Sequence, residues 1–259
     1  MMQLEYIMKQ QQQQLVVEPT KFTQSQSHGL FWDSEIRVKV FHLPECINDT
    51  RKYDIECGEN GYNPSENVSI KATCSDTIDC GDILRFFSNQ FEDAKYTNIV
   101  TIRYKQYGDT KQIQEIVEFK YDEEIRQFLF GTVTIFELEQ YCNLVKSISK
   151  GFVSQDCKKE YKTQKKELQI KHNMYINISP KVDSKTQRRV QCSIPKISHL
   201  FTKFPHKIIS RTLSAVVKGV EITSQIYSLP RIRKIKPFVE QITDCNTIDS
   251  NTIITHTEL

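Results

Sequence analysis

The chain has 259 residues, 38% of them apolar and 26% charged, the proportions of an ordinary soluble globular protein with one large domain or two smaller ones. No apolar run approaches the ~18–20 residues that span a bilayer. The opening MMQLEYIMKQQQQQ has no apolar stretch before a small-residue cleavage site, so a soluble intracellular protein is expected rather than a secreted one.

The net charge of +3 conceals a division: residues 1–150 carry 16 Lys+Arg against 23 Asp+Glu, and residues 151–259 carry 19 against 9. A carboxylate-bearing half followed by a half suited to phosphate points to a polyanion partner for the second. The cysteines at 46, 57, 74, 80, 142, 157, 192 and 245 are scattered, with no C-x-x-C pair and no histidines at zinc-finger spacing. That pattern fits reduced thiols rather than a disulfide framework or a structural zinc site.

In chain order, residues 1–20 read as a polar tail with a glutamine run from Gln10 to Gln14. A helix is predicted over 27–42, because Trp32, Ile36 and Val40 recur at helical spacing; Ser27 can cap it and Pro44 ends it. Two short strands follow, over 52–56 and 67–72, separated by the turn residues Gly58, Gly61, Asn63 and Pro64. Alternation puts Asp54 and Glu56 on one face of the first; in the second, Ser69 and Lys71 lie opposite the apolar Val68 and Ile70. A second helix is predicted over 80–91 with Asp79 as its cap, then strands over 98–107 and 113–121 and helices over 123–131 and 134–148. Gly151 marks a boundary. Beyond it come a charged helix over 156–171, strands over 174–178 and 189–194, a partly helical stretch over 197–227 and a polar tail over 243–259.

The order of a helix with Glu35, a strand with Asp54, and a strand with Ser69-Ile70-Lys71 resembles the PD-(D/E)xK nuclease superfamily, which includes many restriction endonucleases, over roughly residues 25–120. The resemblance implies a Mg²⁺-dependent DNA endonuclease of restriction type, with Mn²⁺ as a substitute metal. Glu35 and Asp54 would hold the metal, Lys71 would position or activate water, and Ser69 would line the site. The chemistry is coherent: Mg²⁺ prefers oxygen ligands, lowers the pKa of a bound water and offsets charge on the phosphoryl oxygens. Two positions depart from the pattern: Ser69 stands where an acid usually precedes the lysine, and Tyr53 stands where a proline often precedes the Asp. A non-catalytic DNA- or RNA-binding protein on a degenerate nuclease fold is therefore the alternative. Self-association of acidic and basic faces is a third.

In the basic half, Lys185, Gln187, Arg188, Arg189 and Gln191 mix ammonium, guanidinium and amide groups, the types that hold phosphates and read base edges. Lys158, Lys159, Lys162, Lys165 and Lys166 would form a stripe on the charged helix that follows a phosphate backbone. The run from Arg231 to Lys236 alternates charged and apolar residues, as a basic strand face or a localisation signal would. The segments SIKATCSDTIDCGDILRFF and PKVDSKTQRRVQCSI resemble uncharacterised proteins of giant DNA viruses, which would place the chain in a host cytoplasm or nucleus. The expected architecture is α/β, a restriction-endonuclease-like core with a mixed central sheet flanked by helices (residues 21–151). A basic α+β recognition region over 152–242 follows it. The expected partner is double-stranded DNA, with no membrane, and a homodimer is among the compatible assemblies.

Overall fold

The computed structural model describes residues 27–45, 53–88, 94–182 and 187–227. The tails expected over 1–20 and 243–259, the 231–236 run and Lys185 lie outside the described residues. What is described is a mixed α/β structure built around a five-stranded sheet flanked by helices.

Helix α1 (Ser27–Glu35) runs into a π-helical turn over Ile36–Val40. Trp32, Ile36 and Val40 are all fully buried, as their spacing predicts. The widened turn ends where His42 adopts a left-handed φ of 56°. It carries Arg37 inward, so that Nε donates to the Pro44 carbonyl at 2.9 Å and Nη1 to the Asp54 carbonyl at 2.7 Å.

The strand expected over 52–56 is not formed in its described part. Tyr53 and Asp54 lie in a bend, and only Ile55 makes an isolated antiparallel bridge, to Val68. The Asp54 and Ile55 amides donate to the Val68 carbonyl, and the Val68 amide to that of Ile55. Side-chain anchors add to these few backbone bonds: Arg37 holds the Asp54 carbonyl, and the Asp54 carboxylate takes the amide of Ile70. Strand β1 (Glu66–Thr73) follows and pairs in parallel with β3 (Tyr96–Tyr107), which turns through Gly108 into antiparallel β4 (Thr110–Tyr121).

Between β1 and β3 the predicted helix over 80–91 gives way to strand β2 (Ile78–Asp82) and a short helix α2 (Ile83–Phe87). The cap is Asp82, whose carboxylate accepts from the Arg85 amide, while Asp79 instead accepts from Gly81 within the strand's bulge. Pairing with β6 (Arg189–Ile194), more than a hundred residues away, overrides the local helical pattern. Helices α3 (Glu123–Phe130), α4 (Ile135–Ser147) and α5 (Gln155–Lys171) lie within a residue or two of their predicted spans. Strand β5 (Asn177–Lys181) starts later than expected, because the amides of Tyr175 and Ile176 donate to the Leu129 carbonyl and hold that stretch against α3. The stretch over 197–227 holds one α-helix, α6 (Ile197–Lys203), a 3-10 turn over Pro205–Lys207, and then strands β7 (Ile208–Thr212), β8 (Val216–Val217), β9 (Val220–Glu221) and β10 (Gln225–Tyr227).

The main sheet has the order β1-β3-β4-β10, with β7 also pairing β4, and β2, β6 and β5 form a second sheet. Alternation along β3 divides the main sheet into two faces. Val100, Ile102 and Tyr104 point to a front face covered by α1 and the β8–β9 hairpin; Ile99 points to a rear face, with Val117 and Phe119, covered by the remaining helices and the small sheet. The rear core runs from Ile78 through Val145, Val153 and Tyr161 to Phe204, so the stretches before and after Gly151 share one apolar cluster. β7 and β10 complete the main sheet from the other side of that boundary. Each large side chain fully buried in these layers contributes about 1.5–3 kcal/mol.

Candidate functional site

Asp54, Ser69 and Lys71 come together at the outer edge of β1. The Asp54 Oδ2 accepts from the Ile70 amide at 2.5 Å and from the Ser69 hydroxyl at 3.2 Å, and the Lys71 ammonium lies 3.7 Å from it. Strand alternation delivers this convergence, since Val68 and Ile70 enter the front core and leave Ser69 and Lys71 on the rear face. Beside them Tyr53 is half-buried; burial pushes its phenol up to about 12, against hydrogen bonds from Thr97 and Asn67 that favour ionisation.

Glu35 is engaged elsewhere. Its Oε1 accepts from the Thr223 hydroxyl at 2.6 Å and faces Lys39, and its Oε2 accepts from the Thr223 amide at 3.0 Å. Trp32 Nε1 donates to the Thr223 carbonyl at 2.9 Å, so one turn of α1 clamps the backbone leading into β10. Glu35→Ala is expected to destabilise the protein by about 3 kcal/mol, because a buried amide and hydroxyl lose a charged acceptor. Urea unfolding of Glu35→Ala beside Glu35→Gln, which keeps one acceptor oxygen and should lose less than half as much, checks it.

The fit to Mg²⁺ follows from these partners. The ion takes an octahedron of oxygens, usually with one or two carboxylates and several waters. Asp54 offers one carboxylate already committed to an amide and a hydroxyl beside an ammonium group, and Glu35 is spent on Thr223 and Lys39. Among the described residues no group of three His, Cys, Asp or Glu side chains could hold a metal ion. The described donor set does not fit a Mg²⁺ centre. What the trio does is fasten the bend at Asp54 to the sheet edge.

The basic half is divided in the same way. Arg188 is turned inward: its Nε donates to the Ile148 carbonyl at 3.1 Å and its Nη2 to that of Ser149 at 2.6 Å, so it caps the end of α4. Gln187 is exposed just before β6. Arg189 is exposed on β6, opposite Lys181, and Gln191 lies on the same face, opposite Ser179. On α5, Lys158, Lys159, Lys162, Lys165 and Lys166 fall within roughly 120° of the helix circumference at 3.6 residues per turn. Tyr161, Leu168 and Cys157 form the inward face, and Asp156, Glu160 and Glu167, with Lys171 beside them, fill the sector between that face and Lys159. The Lys165 ammonium reaches Asn177 Oδ1 at 3.3 Å, which joins this lysine face to the outer face of β5 and β6. At the other end Lys158 stands over the ring of Phe152, which is 88% exposed.

Among the charged clusters without a counterpart in the sequence expectations, two lie on the main sheet. Lys218 inserts between the buried carboxylates of Glu66 (3.1 Å) and Glu118 (3.0 Å), with Asn98 and Ser210 also donating to Glu118. Burial works against charge on Lys218, but Glu118 and Glu66 outweigh it and raise its pKa; burial likewise opposes charge on Glu118, and Lys218, Asn98 and Ser210 hold that carboxyl below its usual value. The second cluster joins Arg103 and Arg211 through Glu115. A Lys-Gly pair between Val-Val and Val-Glu is a hairpin signal that could have placed Lys218 at a turn, but nothing local marks its carboxylate partners.

No family model matches the chain, and no curated protein or solved structure matches it. No helix among the described residues is long and apolar enough to cross a membrane.

Proposed function

We propose that this protein binds double-stranded DNA through the lysine face of α5 and the adjoining outer face of β5 and β6, without cleaving it. The observation that carries the reading is the sorting of α5 into apolar, basic and acidic faces, with the basic one continued by Lys181 and Arg189 on the neighbouring strands. Ammonium groups in a row neutralise successive phosphates and release counterions, which supplies affinity without reading sequence. Asn177, Ser179 and Gln191 add neutral hydrogen-bonding groups between the cations.

Helix α1, the Asp54 bend and β1 keep the order of a nuclease-like frame, and the meeting of Asp54, Ser69 and Lys71 supports a degenerate form of it. The frame then serves as scaffold, because its donors are used in holding the fold.

The test is fluorescence anisotropy with a mixed-sequence duplex. Changing the exposed Lys159, Lys162 and Lys166 together to Glu is expected to weaken binding by at least about ten-fold, whereas Glu160→Gln with Glu167→Gln should not weaken it. DNA recovered from the wild-type complex after incubation with Mg²⁺ is expected to be intact. Unchanged affinity in the triple variant would refute the assignment of α5, and cleavage that Asp54→Ala abolishes would restore the hydrolase reading.

A further inference from the structure

The rear face of the main sheet changes character along its strands. Apolar cover reaches Ile99 and Val117, and beyond them β3 presents Thr101, Arg103, Lys105 and Tyr107 on that face in alternation. Lys71 on β1 is the register partner of Thr101, and Arg211 on β7 is the partner of Val117. Four cations therefore share this end of the sheet with the carboxylates of Asp54 and Glu115 and, in the turn beyond Tyr107, that of Asp109.

Glu115 is buried and organises the pair beside it. Its Oε2 lies 3.1 Å from Arg103 Nη1 and its Oε1 lies 2.6 Å from Arg211 Nε. One carboxylate thus spends one nitrogen of each guanidinium. Each guanidinium has five N–H donors, so both keep donors for a further acceptor, and phosphate matches that planar fork. The Thr101 hydroxyl is wholly buried on the same face and has no hydrogen-bond partner among the described residues. At the strand's end Tyr107 is 47% exposed, with the Lys105 ammonium 5.1 Å from its ring centre.

We infer that this end of the rear face is a second nucleic-acid site, built for a single strand. Arg103, Lys105 and Arg211 hold its phosphates, and Tyr107 stacks a base. Charge complementarity selects a polyanion, and the half-exposed ring selects an unpaired one. A duplex keeps its base faces stacked inside, whereas a single strand offers them to an aromatic platform. The site goes beyond the duplex surface proposed on α5 and shares no residue with it.

The experiment measures anisotropy of a labelled oligothymidylate and of the mixed-sequence duplex, using the full chain. Lys105→Glu and Tyr107→Ala, both at exposed positions near the β3–β4 turn, should each weaken oligothymidylate binding by roughly five-fold or more. Duplex binding should stay within about two-fold of wild type, and Tyr107→Phe should keep full affinity for the single strand, because the ring and not the hydroxyl stacks. The α5 triple variant should show the reverse pattern. Oligothymidylate affinity that is unchanged in both Lys105→Glu and Tyr107→Ala, or that falls only in the α5 variant, would overturn the site. Loss of single-strand binding here with duplex binding intact in the α5 variant would sustain it while refuting the duplex reading.

Discussion

Lys218→Met is expected to destabilise the protein by about 3–5 kcal/mol, the cost of leaving buried charges without their counter-ion. Glu66 and Glu118 are 1% and 3% exposed, and Lys218 is the cation that both of them contact. The hairpin makes the insertion costly in backbone terms too. Lys218 and Gly219 both have positive φ (50° and 82°), as a two-residue turn between Val217 and Val220 demands, and lysine seldom occupies that region.

The pH dependence has a definite sign. The Glu118 pKa is depressed, so its contribution is present above the unfolded value of about 4.3 and is lost as pH falls through the folded one. The Lys218 pKa is raised, so its contribution is full below the unfolded value of about 10.4 and is lost as pH rises through the folded one. In Lys218→Met the Glu118 carboxyl, having lost the cation that depresses its pKa, takes up a proton more readily, and the stability gap from wild type should narrow between pH 7 and pH 5. Urea unfolding at both pH values measures it. Adding Glu118→Gln to Lys218→Met should recover part of the loss; a gap that is constant with pH, or a double variant worse than the sum of its parts, would show that the cluster is not coupled as described.

Gly131→Ala is the second large effect. Gly131 has φ +61°, and a Cβ built there would stand 1.7 Å from the His172 carbonyl oxygen and 2.9 Å from its carbon. The obstacle is backbone, held by the bond from the Thr132 amide to that same carbonyl, so it cannot swing aside. Destabilisation of about 4 kcal/mol or more is expected, of the size that only clashes and comparable defects reach, with a fall in Tm of roughly 8–16 °C. Gly29 in α1 is the control: nothing lies within 4 Å of its added Cβ. Gly29→Ala should be neutral or stabilising by up to about 1 kcal/mol. Thermal unfolding of the two variants side by side separates the clash from a general intolerance of alanine.

The elements legible in the sequence are those whose signals are local. α3, α4 and α5 carry both an apolar stripe and a capping side chain, from Asp122, Thr134 and Ser154 respectively, and β3 and β4 are twelve-residue runs bearing β-branched and aromatic residues on either side of the turn at Gly108. β2 is hidden because its partner β6 lies far along the chain and its own residues suit a helix start. The bend at Asp54 is hidden because Arg37, on another element, takes the Asp54 carbonyl and only Ile55 bridges to β1.

Site residues follow the same division. Two-residue periodicity brings Ser69 and Lys71 to one face beside Asp54. It cannot show that Glu35 closes on Thr223, 188 residues away. The neighbouring arginines 188 and 189 look equivalent in sequence, yet one caps α4 and the other is exposed. Composition marks a basic half but does not say which of its cations are spent internally.

The salt dependence of duplex binding tests the α5 surface most directly. The logarithm of the association constant should fall linearly with the logarithm of salt concentration, with a slope of about −0.9 for each phosphate neutralised. With Lys159, Lys162 and Lys166 changed together to Gln, the line should be shallower by about 0.9 for each ammonium–phosphate pair that the substitutions remove. Equal slopes for wild type and variant, or wild-type binding indifferent to salt, would contradict a DNA-binding role for this face.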